Sequence, residues 1–210
     1  PAKVQTPKRD LSVKEIKPLD KIGFEDSAAF GVKATNLATL HTLGFPEGTV
    51  PSGHAVPFHF YDAFMKHNGL YDKARVMLGS ESFKKNRDEQ IKKLKAFRKL
   101  VKSGVMPDWM MGDLAKLQQS FANGQGIRCR SSTNNEDLPD FSGAGLYDSF
   151  THKSDEGHLA KTVKQVFASL WNFRAFEERT FYRIDHFTTA IGVLVHFNFS
   201  DELANGVAVT

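Results

Sequence analysis

The chain has 210 residues, enough for one domain or two small lobes, and its 40% hydrophobic and 25% charged residues are ordinary for a globular protein. No apolar run nears the roughly 20 residues that span a bilayer, and residues 1–20 are polar and basic, without the apolar core of a signal peptide. The net charge of +4 attracts polyanions only modestly, and the single cysteine excludes an internal disulfide and fits a reducing compartment, so a cytoplasmic location is expected. Residues 1–18 read as a loosely extended N-terminal tail ahead of one domain over 19–210. In the segment Gly31-Val32-Lys33-Ala34-Thr35-Asn36-Leu37-Ala38-Thr39-Leu40, Leu37 and Leu40 follow at helical spacing and Gly44 offers a C-cap, which puts Lys33 near a helix N-terminus. Residues 50–56, with Pro51 and Gly53, read as a short strand after a turn. The aromatic stretch from Phe58 to Met65 reads as a helix that stops at Gly69.

Ile91, Leu94, Phe97 and Val101 form one apolar stripe of a long basic helix. Lys84 to Lys102 carries much of the positive excess and reads as a solvated helix face, with an anion patch as the alternative. A second helix restarts after Pro107, with Met110, Leu114, Leu117 and Phe121 on one face, and breaks at Gly124 and Gly126. Ile127-Arg128-Cys129-Arg130 alternates as a strand and puts Arg130 at its end. Cys129 faces away from both arginines and reads as core. A polar loop runs from Ser131 to Gly145, and 146–151 return as a strand. Ser154 or Asp155 can cap a helix whose core face is Leu159, Val163, Val166, Phe167 and Leu170. A helix over 173–184 and a buried strand over 190–195 follow, and 207–209 begin another strand, which suggests a piece of a longer protein.

The loop Arg130-Ser131-Ser132-Thr133-Asn134-Asn135-Glu136-Asp137-Leu138-Pro139-Asp140-Phe141-Ser142-Gly143-Ala144-Gly145 holds the densest candidate chemistry. Its hydroxyls and the glycine-freed amides can donate to phosphate oxygens, and Arg130 can grip two of them through its planar fork. The same residues also favour an ordinary capped turn, so both readings stand on composition. Glu136 and Asp137 suit turn or capping roles better than a general base. The 8 histidines show no metal-ligand spacing.

This loop resembles the Arg-Ser-Ser, Glu-Asp, Ala-Gly signature of the N-terminal domain of the pyruvate,phosphate dikinase and phosphoenolpyruvate synthase family. Three further stretches agree in order. Gly31-Val32-Lys33-Ala34-Thr35-Asn36-Leu37 is similar to the family's opening Gly-Gly-Lys-Gly-x-Asn-Leu, with Val32 and Ala34 in place of glycines. Ser169-Leu170-Trp171 with Arg174-Ala175 matches the intervening helix, and Asn205-Gly206-Val207-Ala208-Val209-Thr210 the closing strand. The resemblance covers about 19–210. It implies an α+β fold, the first part of an ATP-grasp-like nucleotide-binding domain, with a mixed sheet and flanking helices. It implies that Lys33 and Arg130 contact ATP phosphates from one cleft, with Arg130 also catalytic, and that Gly145 and Ser149 lie near the nucleotide. His196 falls at the base-side position, where the family usually has Gln. The family's Mg2+ ligands, phosphohistidine domain and pyruvate domain come later in its chains, so the implied partners are ATP and downstream domains of the same parent, with no membrane and with nucleic acid disfavoured. The implied function is the ATP-binding portion of a phosphotransferase that phosphorylates a histidine carrier and then an acceptor such as pyruvate, this piece being inactive alone. A non-catalytic nucleotide-binding module and a basic nucleic-acid-binding protein stay open as alternatives.

Overall fold

The computed structural model describes residues 3–121, 124–136, 138, 141, 143 and 145–199. Five strands, β1 (Lys17–Pro18), β2 (Gly53–Val56), β3 (Ile127–Thr133), β4 (Ser149–His152) and β5 (Ile191–Phe197), form one sheet in the order β1-β2-β5-β3-β4. The class is α+β, but every strand pairing is antiparallel, where a mixed sheet was expected. The reason is topological. β2 and β3 run the same way, yet β5 inserts between them in the opposite sense, so among the described strands no parallel neighbours form. The closing segment at 205–210 lies outside the described residues.

The helices are α1 (Ser27–Phe30), α2 (Val32–Leu40), α3 (Phe58–His67), α4 (Leu70–Gly79), α5 (Glu81–Lys85), α6 (Arg87–Ser103), α7 (Asp108–Gln119), α8 (Ala160–Ser169) and α9 (Phe173–Phe181). In α3, Phe58, Phe60, Tyr61, Phe64 and Met65 are all buried, and the chain turns out of the helix at Gly69, whose φ of +60° suits glycine. Asn86 caps α6 by accepting from the amides of Asp88 and Glu89 at 2.9 and 3.1 Å. Leu94, Phe97 and Val101 form its buried stripe, whereas Ile91, expected with them, is exposed. Neither Ser154 nor Asp155 caps α8. The helix begins later, at Ala160, and its first amides are met by His158 and Gln118 instead: Ala160 N–H donates to His158 Nδ1 at 3.0 Å and Leu159 N–H to Gln118 Oε1 at 2.8 Å. Its expected core face is fully buried.

The two sheet faces differ. Side chains of Ile127, Cys129, Val193 and Val195 point one way, towards α3 and α8, with α6 packed behind α8. Trp171 lies fully buried in this layer and donates its indole N–H to Tyr61 Oη at 3.1 Å. The other face carries Ala55 and Leu194, covered by Leu19, Ala29, Phe30, Ala34 and Ala38 from α1, α2 and the preceding turn. Residues 3–18 run extended but are fastened: Gln5 bridges to Ile184, Arg9 Nη1 donates to Phe187 O at 3.0 Å, and Lys8 O accepts from Asn134 Nδ2.

Candidate functional site

Helix α2 approaches β3 so closely that its start must be glycine. Gly31 has φ +85°, and a Cβ there would lie 2.6 Å from the Ser132 carbonyl oxygen. Ser132, on β3, also supplies the helix cap: its buried Oγ accepts from Ala34 N–H at 3.0 Å. Lys33 therefore stands in the first turn of α2, where the helix dipole favours anions. Its Nζ donates to Ser131 O at 2.8 Å and lies 3.6 Å from Glu136 Oε1.

Arg130 was expected at a strand end. It lies in mid-strand, because β3 continues through Thr133 by pairing with β5. The arginine side chain is exposed, and among the described residues its guanidinium makes no hydrogen bond or ion pair. Lys33 and Arg130 line one cleft, with Asn36, Leu37, Glu136 and Leu194. Lys33 titrates below the ordinary lysine value of 10.5. Burial is the main cause, the charge of Glu136 opposes it, and the Arg130 charge adds to it. A wider groove lined by Leu40, Phe45, Val50, Phe197 and Phe199 has a volume near 460 Å3, against about 330 Å3 here. It carries no lysine or arginine, so size alone does not make it a polyanion site.

None of the remaining candidates lines this cleft, though two of them share the sheet face that bears Arg130. Ser149 is the cross-strand partner of Arg130 on β4, so its side chain is on the same face. His196 pairs with Arg128 and shares that face, two residues from Leu194. Its Nδ1–H donates to Phe197 O at 2.6 Å, which leaves Nε2 a buried acceptor without a hydrogen-bond partner among the described residues. Burial lowers its pKa, the Phe197 bond opposes this, and the charges of Arg130 and Arg128 lower it further. Gly145 has φ +73° and open space around its α-carbon.

Among the described residues, the hydroxyls and the Asn135 amide just after Arg130 turn inward rather than towards the cleft. Ser131, Ser132, Thr133 and Asn135 are fully buried. Asn134 ties its loop to two other segments, donating to Lys8 O and Thr188 O and accepting from Ala190 N–H. Asn135 exchanges hydrogen bonds with Tyr147 Oη, which also accepts from the buried Arg179. Arg179 further donates to His186 Nδ1 and Leu170 O, and burial, with the arginine charge second, pushes His186 down to about 3. This inward network fixes the backbone from which Glu136 reaches Lys33. That role for Glu136 was not legible from its spacing, and Asp137 lies outside the described residues. Burial raises the Cys129 thiol to about 12, the mark of an inert core cysteine. Among the described residues no three His, Cys, Asp or Glu side chains converge as a metal site would require. The described chain therefore does not fit a dedicated Mg2+ site.

A lysine at a helix start and an arginine on the adjoining strand, without a protein partner among the described residues, are open to one cleft, a charge arrangement that suits a polyanion. The chain belongs to the pyruvate phosphate dikinase, AMP/ATP-binding domain family, whose model matches residues 27–210. It is similar to phosphoenolpyruvate synthase of Aquifex aeolicus, 30% identical over 199 residues that cover 91% of this chain and 23% of that protein. It is likewise similar to phosphoenolpyruvate synthase of Pseudomonas aeruginosa, 29% identical over 184 residues that cover 85% of this chain and 23% of that protein. The chain thus spans under a quarter of the length of these relatives, and corresponds to the nucleotide-binding part of a dikinase-type enzyme. Among the described residues no helix is long and apolar enough to cross a membrane.

Proposed function

We propose that the cleft between α2 and β3 binds the phosphate chain of ATP, with Lys33 and Arg130 as its cations. The observation that carries this is the exposed Arg130 guanidinium, without a protein partner among the described residues, in the same cleft as a lysine at a helix N-terminus. Arginine without an internal partner offers both arms of its fork to two phosphate oxygens. The Arg130 charge that depresses Lys33 becomes an asset once a polyanion lies between them. Ser149, beside Arg130, adds a hydroxyl, Gly145 leaves room for close approach, and His196 stands on the base side, its Nε2 acceptor covered by the protein. Arg130 would also steady charge that moves between phosphate oxygens during transfer, because phosphoryl transfer depends on positioning and cations more than on covalent chemistry. The described residues offer Mg2+ no dedicated ligand set.

In the parent protein we place this chain, a domain over 19–210 behind an N-terminal tail over 1–18 of which residues 5–9 are fastened to it, as the first part of an ATP-grasp-type unit. That protein is a cytoplasmic phosphotransferase in which ATP phosphorylates a histidine carrier in a downstream domain, which passes the group to an acceptor such as pyruvate. The likeness to phosphoenolpyruvate synthases and the family match support this reading. Calorimetric titration of the protein with ATP tests it. Wild type takes up ATP, and Lys33→Ala and Arg130→Ala each weaken binding by about tenfold or more, since a charge-assisted hydrogen bond contributes roughly 1.5–3 kcal/mol. No uptake by wild type, or full affinity in both variants, overturns it.

A further inference from the structure

We infer that Glu136 is the counter-ion that keeps Lys33 charged and aimed into the phosphate cleft, a positioning residue for nucleotide binding; the inference deepens the ATP reading and rests on it. Lys33 has two anchors, and they differ in kind. The Ser131 carbonyl at 2.8 Å accepts an N–H from an ammonium or from a neutral amine, so it aims the nitrogen without holding its charge. Glu136, at 3.6 Å and with its side chain only 13% exposed, is the anion among the groups that share this cleft. The others facing Lys33 are Arg130 from β3, which repels it, Asn36 from α2, which is neutral, and Leu194 from β5, which is apolar. Partial burial and a neighbouring guanidinium both favour the neutral amine, which would bind phosphate poorly. Glu136 opposes both.

The fold holds Glu136 at this post. Asn134 and Asn135, just before it, are locked by the clamp to Lys8, Thr188 and Ala190 and by the pair with Tyr147. Beyond it, the chain folds back so that a Cβ on Gly143 would meet Glu136 Cα and Cγ at 3.1 and 3.0 Å, closer than ordinary van der Waals contact. At 3.6 Å the ion pair is longer than a direct charge-assisted hydrogen bond, so a phosphate oxygen can take the open side of the ammonium without breaking the Ser131 anchor.

The test reads the lysine and the nucleotide separately. In the protein without ATP, the 13Cε resonance of Lys33, assigned by its loss in Lys33→Arg, is followed against pH. Its midpoint falls in Glu136→Gln and returns towards wild type in Glu136→Asp. ATP titrations between about pH 7 and about pH 10 follow the same order. Affinity declines as the lysine deprotonates, and Glu136→Gln begins that decline at lower pH, with an extra loss of about two- to fivefold on the alkaline limb. In a Lys33→Arg background the side chain stays charged, so Glu136→Gln adds no pH-dependent loss. An unchanged Lys33 midpoint in Glu136→Gln overturns the inference, as does a loss of affinity equal at every pH or equal in the Lys33→Arg background. Wild type that binds no ATP while the midpoint still falls overturns the nucleotide reading itself, and with it the role in binding.

Discussion

The two faces of the sheet are built from the same three central strands and follow opposite rules. On one, Cys129, Val193 and Val195 meet α3 and α8, and the layer closes over a fully buried Trp171. On the other, Gly31 and Ser132 seat α2 on β3, while Arg130 is exposed and Lys33 is held by partial burial between a carbonyl and a carboxylate. The alternation of a strand makes this possible, because neighbouring residues of β3 belong to different environments. The first face sets stability and the second is free to carry charge. Substitutions on the two faces should therefore separate cleanly in what they change.

The largest effect is expected on the packed face. Phe167 is fully buried on α8 and stands edge-on to Tyr61 and tilted against Phe64, with ring centroids at 5.5 and 5.6 Å. Phe167→Ala should cost about 3–5 kcal/mol by removing buried surface and leaving a cavity. Urea unfolding measures it as a lower midpoint. A shift of under about 1 kcal/mol would show that the layer repacks freely and that the contrast between faces is overstated.

Arg130→Ala should do the reverse. An exposed side chain without an internal partner contributes within about 0.5 kcal/mol to stability, so the unfolding midpoint should barely move while ATP affinity falls. Arg130→Lys should not fully restore binding, because lysine is one mobile charge and cannot present a planar pair of donors. Complete rescue by lysine would reduce Arg130 to a point charge. Ser132→Ala lies between the extremes, since it removes the cap that joins the faces. The loss of its bond to Ala34 N–H should cost about 0.5–2 kcal/mol in unfolding experiments, with a milder loss of ATP affinity through the displaced start of α2. Unaltered stability would mean that the cleft helix is held by its apolar side alone.

Periodicity made the packed face legible. The stripes Met110, Leu114, Leu117 and Leu159, Val163, Val166, Phe167 are helical repeats, and all are buried. It misled at Ile91, which is exposed, and at the start of α8, where the caps come from His158 and the distant Gln118. The sense of the sheet was not legible, since nothing local tells β5 to insert between β2 and β3. In the cleft, the placement of Lys33 follows from a glycine before a helical repeat. The end of β3 was misjudged because Ser131, Ser132 and Thr133 look like a turn by composition, yet pairing with β5 keeps them in the strand. The pairing of Glu136 with Lys33 spans about a hundred residues of chain and depends on the Asn134 clamp, so only the folded structure shows it.

The smallest effect is expected from the most conspicuous charge in the sequence. Lys92, Lys93 and Lys95 sit on α6, which packs against α8 and so belongs to the layer behind the covered face of the sheet. Their company is local: Lys92 lies 3.6 Å from Glu89 one turn back, and Lys93 donates to Ser80 and Ser82. Exposed pairs of this kind contribute little and are screened by salt. Replacing all three with Gln should leave ATP affinity within about a factor of two, with at most a slight change in unfolding midpoint from the lost Lys93 bonds. The same variant separates the ATP reading from a nucleic-acid one. Binding of an oligonucleotide through this helix would fall steeply with salt, would collapse in the triple variant and would ignore Arg130. If ATP affinity follows the helix lysines and not Arg130, the phosphate site lies on α6, and the open face of the sheet has some other use for its exposed arginine.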